Sequence, residues 1–415
     1  MKLKSIKQRR FIGIVFALLL LITISTGIHM IDSVWGHMDE VMELVCLVYI
    51  LIHIKSKETR KLSLIIGIWI IMVLDGLCGS LLWRKQGIVA IAIDMIFICS
   101  KFMVAYLAGY IYFSKNDRNM TAVYKIAKIF TVVLTLLSVH ELIFPGFFEK
   151  ADFRYFLYSQ KLIFMHPTYL THAAVTLLLG LFYQHMRDNR NNIVYMLMNS
   201  YLIVVAMRTK GIGFLGVFWL MYVCLYLLKF KEKWIMYLGG GVIALVLGMS
   251  AIKSYFFTVG RYSPRQILLQ DSMVIFKRYF PIGAGFATFG SPTAASHYSP
   301  LYIELGYENN WGMGPVDNQF LSDSFWPCIL GQFGFIGTIL MVCIIFIFMR
   351  KAIKMINRDK YLGFAPFMIM LYLLISSFAE TSFFNPTSML LFLVFAYIET
   401  DMIRKGRTQR SNGKG

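Results

Sequence analysis

The sequence predicts an all-α polytopic membrane protein, and three observations carry that reading. Of the 415 residues, 58% are hydrophobic and only 15% are charged, a balance far too apolar for a soluble domain. The apolar residues fall into runs that recur at the length needed to cross a bilayer. The Lys and Arg residues behind the net charge of +19 are concentrated in short segments between those runs, where they set membrane orientation. Residues 1–415 are therefore expected to form a single transmembrane domain, and nucleic acid is not an expected partner.

The N-terminus, Met1-Lys-Leu-Lys-Ser-Ile-Lys-Gln-Arg-Arg10, precedes about 20 apolar residues with no small-x-small cleavage site, which predicts an uncleaved first span. Apolar runs then lie near 11–31, 38–54, 62–83, 88–113, 124–144, 168–184, 191–207, 212–228, 234–252, 326–349, 362–380 and 384–400. They predict about 12 helices. The runs at 168–184 and 191–207 are at or below the usual spanning minimum, so their ends stay wet or flanking residues snorkel. No fixed-period repeat and no matching pair of Gly/Pro-broken helices is present, which disfavours a symmetric transporter.

If both termini are cytoplasmic, the inward-facing segments hold 28 of the 41 Lys and Arg, spread over every inner loop. The positive-inside rule thus predicts a multi-pass cell-membrane protein with both termini in the cytoplasm. Residues 253–325 become a long extracellular loop between spans 9 and 10, and 145–167 a shorter one. Cys46, Cys78, Cys99, Cys224, Cys328 and Cys343 fall singly, giving neither a disulfide framework nor a zinc site. No HExxH, DxD, GxSxG, Walker loop or Cys/His nucleophile arrangement occurs on the outer side, so no metal or other cofactor is expected.

The stretch from Arg261 to Gly337 is the only long one that is neither apolar enough to span nor short enough to be a hairpin. Within it, Ser263-Pro264 reads as a helix cap followed by proline at the first helical position. Ile267, Leu268, Val274 and Ile275 share a face at helical spacing, predicting an amphipathic helix over roughly 264–280 on the outer membrane surface. Pro281 ends it. Gly283, Gly285 and Gly290 follow in a loop whose Phe286 and Phe289 are expected to dip into the interface.

Basic residues on the outer side need a reason. Lys277 and Arg278 suit lipid headgroups or local acids such as Asp271. Arg208, Lys210, Arg261 and Arg265 have a second reading as ligands of an anionic substrate group, since a guanidinium fork fits pyrophosphate. Asp323 precedes a span and reads as a helix cap or as a group that binds a hydroxyl. His166 and His297 read as bases or as structural hydrogen-bonders. Asp75, Asp94 and Lys101 lie inside spans, and Asp94 and Lys101 are spaced to share a helical face as a buried pair or a functional one. Glu141 and Glu380 fall near outer span ends.

Taken together, Pro281-Ile-Gly-Ala-Gly-Phe-Ala-Thr-Phe-Gly-Ser291, Tyr298-Ser-Pro-Leu-Tyr302, Asp323-Ser-Phe-Trp-Pro327 and Gly331-Gln-Phe-Gly334 resemble the Wzy-type oligosaccharide repeat-unit polymerases of Gram-positive capsule and exopolysaccharide loci. His166-Pro-Thr-Tyr169 and Arg208-Thr-Lys-Gly211 add support. The resemblance implies polymerisation of undecaprenyl-pyrophosphate-linked oligosaccharides on the outer membrane face by a metal-independent, inverting glycosyltransferase fold shared with O-antigen ligases. The chain lacks the His-Asn pair of the ligase-like pattern, with Asp323 near that place. It also lacks the spaced Arg/Gly repeats of some Gram-negative polymerases.

For that chemistry the expected assignments are Arg208, Lys210, Arg261 and Arg265 on pyrophosphate, Asp323 or His297 on the acceptor hydroxyl, and Gly283, Gly285 and Tyr298 in the supporting loop. Expected partners are the lipid-linked oligosaccharides, membrane lipids, and the flippase and chain-length regulator of the same pathway. Two rivals stand beside the polymerase. One is a glycan ligase of the same superfamily; the other is a lipid-linked oligosaccharide flippase or exporter, for which Asp75, Asp94 and Lys101 would line a path.

Overall fold

The structure, a computed structural model, describes residues 38–115, 120–154, 157–228 and 263–412. The apolar runs predicted near 11–31 and 234–252, and Arg261, lie outside the described residues. In chain order the elements begin with α1 (Met38–Ile52), the short α2 (Lys57–Arg60) and α3 (Ser63–Trp83). Next come α4 (Ile88–Ile93), which widens into a π-helical turn at Asp94–Ile98, then α5 (Lys101–Lys115) and α6 (Thr121–Ile143). A two-residue hairpin, β1 (Phe153–Arg154) with β2 (Leu157–Tyr158), leads to α7 (Pro167–Asp188), α8 (Ile193–Val205) and α9 (Thr209–Tyr222). After the undescribed stretch come α10 (Pro264–Arg278), α11 (Pro292–Ser296), α12 (Pro300–Glu304), α13 (Phe325–Arg358), α14 (Phe364–Ser376) and α15 (Pro386–Asn412).

The described chain is thus predominantly helical, and several helices are built for a membrane. Five are long and apolar enough to cross one: α3, α6, Thr209–Tyr226, α13 and Pro386–Gly406. A sixth is added if Ile88–Ile98 and Lys101–Lys115, bent by 43°, form one span. The expected count of 12 is not reached among the described residues, for identifiable reasons. Helices α1, α8 and α14 have 15, 13 and 13 residues, below spanning length. Helix α7 has 22 but is interrupted by Thr168, Thr171, His172, Thr176 and Gln184.

Helices α5 and α15 pack together most extensively, with α3 along α13, α7 along α8 and α1 against α5. Lipid-type side chains remain on the outside of the bundle: Leu74, Leu81, Ile129, Leu136, Ile339 and Phe346 are all exposed. The connections 144–166, 279–324 and 377–385 gather at one end of the bundle, here termed the loop end. Contacts there join Lys85 to Glu304 and Arg208 to Asp152.

Helix α10 starts where its sequence indicates, with Ser263 at the cap position and Pro264 at the first helical position, but its setting corrects the expectation of a surface helix. It packs along α13, burying Leu268, Ser272 and Ile275 while Val274 points outward. The glycine loop is a second correction. Phe286 and Phe289 are fully buried rather than dipped into an interface, because the loop wedges between α3 and α13. The N–H groups of Ala284 and Gly285 donate to the carbonyls of Gly331 and Gln332 at 2.9 Å each, and those of Phe335 and Ile336 donate to Pro281.

This insertion breaks α13 at Gly334, which takes φ 55° and ψ −148°. Facing it, Gly283 has φ +76°, and a Cβ there would stand 2.4 Å from the Gly334 nitrogen. Only glycine fits both constraints. Three more loop donors are satisfied by side chains. Phe286 N–H donates to Ser80 Oγ at 2.8 Å, Ala287 N–H to Asp94 Oδ2 at 2.7 Å, and Gly290 N–H to the Tyr302 hydroxyl at 2.8 Å.

Asp94 therefore serves this loop and does not pair with Lys101. The π-helical turn and the bend between α4 and α5 turn the two residues apart. Lys101 instead pairs with Asp39 of α1, both buried. Asp75 of α3 meets the backbone of Gly337 on α13. Asp94 and Lys101 are thus engaged by protein groups, whereas one carboxylate oxygen of Asp75 is buried without a hydrogen-bond partner among the described residues.

Candidate functional site

The loop end brings three basic residues onto three carboxylates. Arg208 NH1 lies 3.1 Å from Asp152 Oδ2, Lys210 Nζ 2.5 Å from Glu380 Oε2, and Arg265 NH2 2.8 Å from Asp323 Oδ2. The six residues come from the position just before the β-hairpin, the α8–α9 turn with the first turn of α9, α10, the approach to α13 and the α14–α15 connection. Electrostatic contact links the pairs: Lys210 feels both Arg265 and Asp323, and His166 feels both Arg208 and Lys210.

Local geometry explains the convergence. Ser159 N–H and hydroxyl both bond the Asp152 carbonyl, and Gln160 N–H donates to the Val205 carbonyl at 3.0 Å. The hairpin is thereby pinned to the end of α8, and Asp152 faces Arg208. Arg208 occupies the cap position of α9 without capping it, which leaves its guanidinium free to reach Asp152 and, at 3.2 Å, His166 Nε2. One turn on, Gly211 lets α9 approach α7: a Cβ there would stand 2.6 Å from the Thr171 methyl. That closeness lets Lys210 and His172 face the same carboxylate, Glu380.

His172 extends the cluster into the bundle. Its Nε2 lies 2.9 Å from Glu380 Oε1, and its Nδ1 lies 2.6 Å from the Tyr372 hydroxyl of α14. Both residues are essentially inaccessible. The Tyr372 hydroxyl and Nδ1 share a hydrogen bond that fixes the ring, with Nε2 turned toward the Glu380 side. Glu380 thus has an ammonium on one oxygen and an imidazole on the other.

The charges respond accordingly. Burial works against ionisation of Glu380, but His172 and Lys210 outweigh it and hold the carboxyl well below the usual carboxylate range. Burial likewise opposes Asp152, and Arg208 and Arg154 together push it down. Asp323 behaves differently: burial raises its pKa, and Arg265 and Lys210 recover only part of the shift. His166 has an exposed edge, yet burial of the rest of the ring, with Arg208 beside it, pushes its pKa down to about 4. It is therefore neutral near pH 7.

Of the residues singled out in the sequence, Arg208, Lys210, Arg265 and Asp323 come together, and His166 joins them. His297 does not. It is exposed and bonds locally to Ser296 and to the Thr293 carbonyl. Asp323 is not a helix cap, since Ser324 holds that position and the Asp323 carboxylate turns to Arg265. Tyr298 donates to the Met313 carbonyl within the loop, and Gly283 and Gly285 belong to the buried wedge. Glu141 accepts the N–H groups of Gly146 and Phe148 and shapes its own turn. Arg278 pairs with Glu304, and Asp271 accepts from the Tyr307 hydroxyl.

The residues not assigned from the sequence are Asp152, His172 and Tyr372, together with the central position of Glu380. One signal was present: His166 and His172 bracket the polar start of a run otherwise long enough to span. Chemically, three cations from two segments suit a ligand with several anionic oxygens, with two guanidinium forks and one compact ammonium as donors. Asp323, the carboxylate with a raised pKa, suits proton acceptance. Compared with models of known protein families and with curated proteins, the sequence matches none.

Proposed function

We propose that the chain is a polysaccharide polymerase of the Wzy type. It joins undecaprenyl-pyrophosphate-linked repeat units into capsular polysaccharide or exopolysaccharide on the outer face of the cell membrane, with both termini in the cytoplasm. The observation that carries this reading is the meeting of Arg208, Lys210 and Arg265 with Asp323 at the loop end, where a lipid-borne pyrophosphate and a sugar hydroxyl would both need protein groups. The sequence resemblance supplies the substrate class.

In this reading the hydroxyl oxygen of the acceptor unit attacks the anomeric carbon of the donor chain. The bond from that carbon to the pyrophosphate oxygen breaks, undecaprenyl pyrophosphate departs with the electron pair, and the hydroxyl proton passes to Asp323. The leaving group is already good. The protein's contribution is to neutralise the charge growing on pyrophosphate, to accept the proton, and to align two lipid-anchored partners. Arg208, Lys210 and Arg265 take the first task. Burial of Asp323 makes it a stronger proton acceptor than a solvated carboxylate.

The test is complementation of a deletion strain. Arg265→Ala and Asp323→Asn are expected to abolish polymer while protein levels and single lipid-linked units persist; long polymer in both strains would overturn the assignment. Finished polymer that accumulates on the lipid carrier in the deletion strain, instead of single units, would favour a ligase.

A further inference from the structure

All three cations that would meet pyrophosphate are already held by carboxylates, and only one of those carboxylates has a part in the chemistry above. Asp323 accepts the proton; Asp152 and Glu380 have no such task. Arg208, buried, lies against Asp152, and Lys210 lies against Glu380 with both side chains nearly inaccessible, at 11% and 12% exposure. An internal carboxylate next to a cation competes with any external anion for that cation, so its presence weakens anion binding. A site meant only to bind would gain by omitting it.

A second feature makes Glu380 suited to exchange. A buried carboxylate abandoned by its only cation suffers a large desolvation penalty. Glu380 keeps a favourable neighbour when Lys210 moves away, because His172 Nε2 stands 2.9 Å from its other oxygen and Tyr372 bonds the imidazole from behind. Asp152 similarly retains Arg154, 3.1 Å away, when Arg208 turns to a ligand. Each carboxylate can thus release its cation and take it back. Asp323 differs in relying on Arg265.

We propose that Asp152 and Glu380 are release residues: internal counter-anions that compete with the pyrophosphate for Arg208 and Lys210 and so expel the spent lipid carrier after transfer. This rests on the function proposed above. The reaction turns a pyrophosphate diester into a free pyrophosphate monoester, which carries more negative charge and would bind these three cations more tightly than the substrate did. Without a competing anion the product would hold the site, and its departure would limit turnover. His172 acts through Glu380 as a positioning residue.

The sign of the effect separates this role from a structural one, because losing a purely structural ion pair does not tighten ligand binding. The measurement is saturable binding of farnesyl pyrophosphate to the purified full chain in nanodiscs, for the wild type, Glu380→Gln and Asp152→Asn. Thermal unfolding confirms that each variant is folded. The expected outcome is tighter binding in both variants, by about tenfold for the buried Glu380 and about two- to threefold for the half-exposed Asp152. Unchanged or weaker binding in the folded variants overturns the inference and leaves the proposed function standing. If Glu380→Gln does not fold, Asp152→Asn decides alone. Failure of the wild type to bind farnesyl pyrophosphate at all overturns the proposed function, and the inference with it.

Discussion

Both ends of the helix bundle carry buried ion pairs, and they are built differently. At the end opposite the loops, α15 supplies both carboxylates from its regular helix. Glu399 accepts from Lys351 and from the Tyr106 hydroxyl at 2.8 Å each, and Asp401 accepts from Arg187 at 2.8 Å and the Tyr183 hydroxyl at 2.7 Å. At the loop end none of the three carboxylates lies on a helix. Asp152 is beside a hairpin, Asp323 precedes α13, and Glu380 sits in the α14–α15 connection. Carboxylates fixed on a helix, each also bound by a tyrosine, hold neighbouring helices in register. Carboxylates on connections can part from their cations without disturbing a helix, which is what a ligand site needs.

The comparison is broken or sharpened by substitutions at each end. The largest effect is expected for Lys210→Ala and Arg265→Ala, which should lower polymer formation by about a hundredfold or more, the usual loss when one donor to a developing negative charge is removed. Protein accumulation should stay near wild type. Asp401→Ala should do the reverse. It removes the bonds from Arg187 and from the Tyr183 hydroxyl, leaves Arg187 with Asp188 as a remaining partner, and is expected to cost about 2 kcal/mol of stability, read as a lower unfolding temperature in detergent, while polymer made per folded molecule is retained. Loss of polymer with unchanged stability in Asp401→Ala would erase the distinction between the two ends.

A pH profile gives the next effect. Asp323 must be ionised to accept the proton, and its pKa is raised. Activity should therefore fall as the pH drops through that value, with the acid limb displaced upward from that of an ordinary aspartate. His166 is pushed the opposite way, down to about 4, so the limb is assigned to Asp323 and His166→Gln should leave its position unchanged. A limb that moves in His166→Gln would transfer the titration to the imidazole. The smallest effect belongs to Glu304, whose exposed partners are Lys85 and Arg278. Glu304→Ala should change stability by less than about 1 kcal/mol and leave polymer unaltered.

What the sequence discloses follows the range of the interaction. Local signals are legible: Ser263-Pro264 starts α10, and the apolar runs between 38 and 228 and after 325 correspond to helices. The basic trio is legible because cations between apolar runs stand out one at a time. Their partners are not, since nothing near Glu380 announces Lys210 or His172, and no periodicity joins Asp152 to Arg208. Asp94 and Lys101 show the same limit in reverse. Their spacing suggests one face of a continuous helix, whereas the helix bends between them and each finds a partner elsewhere. The glycine loop was readable as a turn but not as a wedge, because its burial depends on a break in α13 at Gly334.

The most direct measurement is polymerisation by the purified chain in liposomes supplied with lipid-linked repeat units alone, without added metal or nucleotide. The account predicts a ladder of products from the wild type, none from Lys210→Ala or Arg265→Ala, and a ladder that persists in Asp401→Ala once corrected for folded protein. A wild type that leaves the units unjoined, or an undiminished ladder from both loop-end variants, would contradict it.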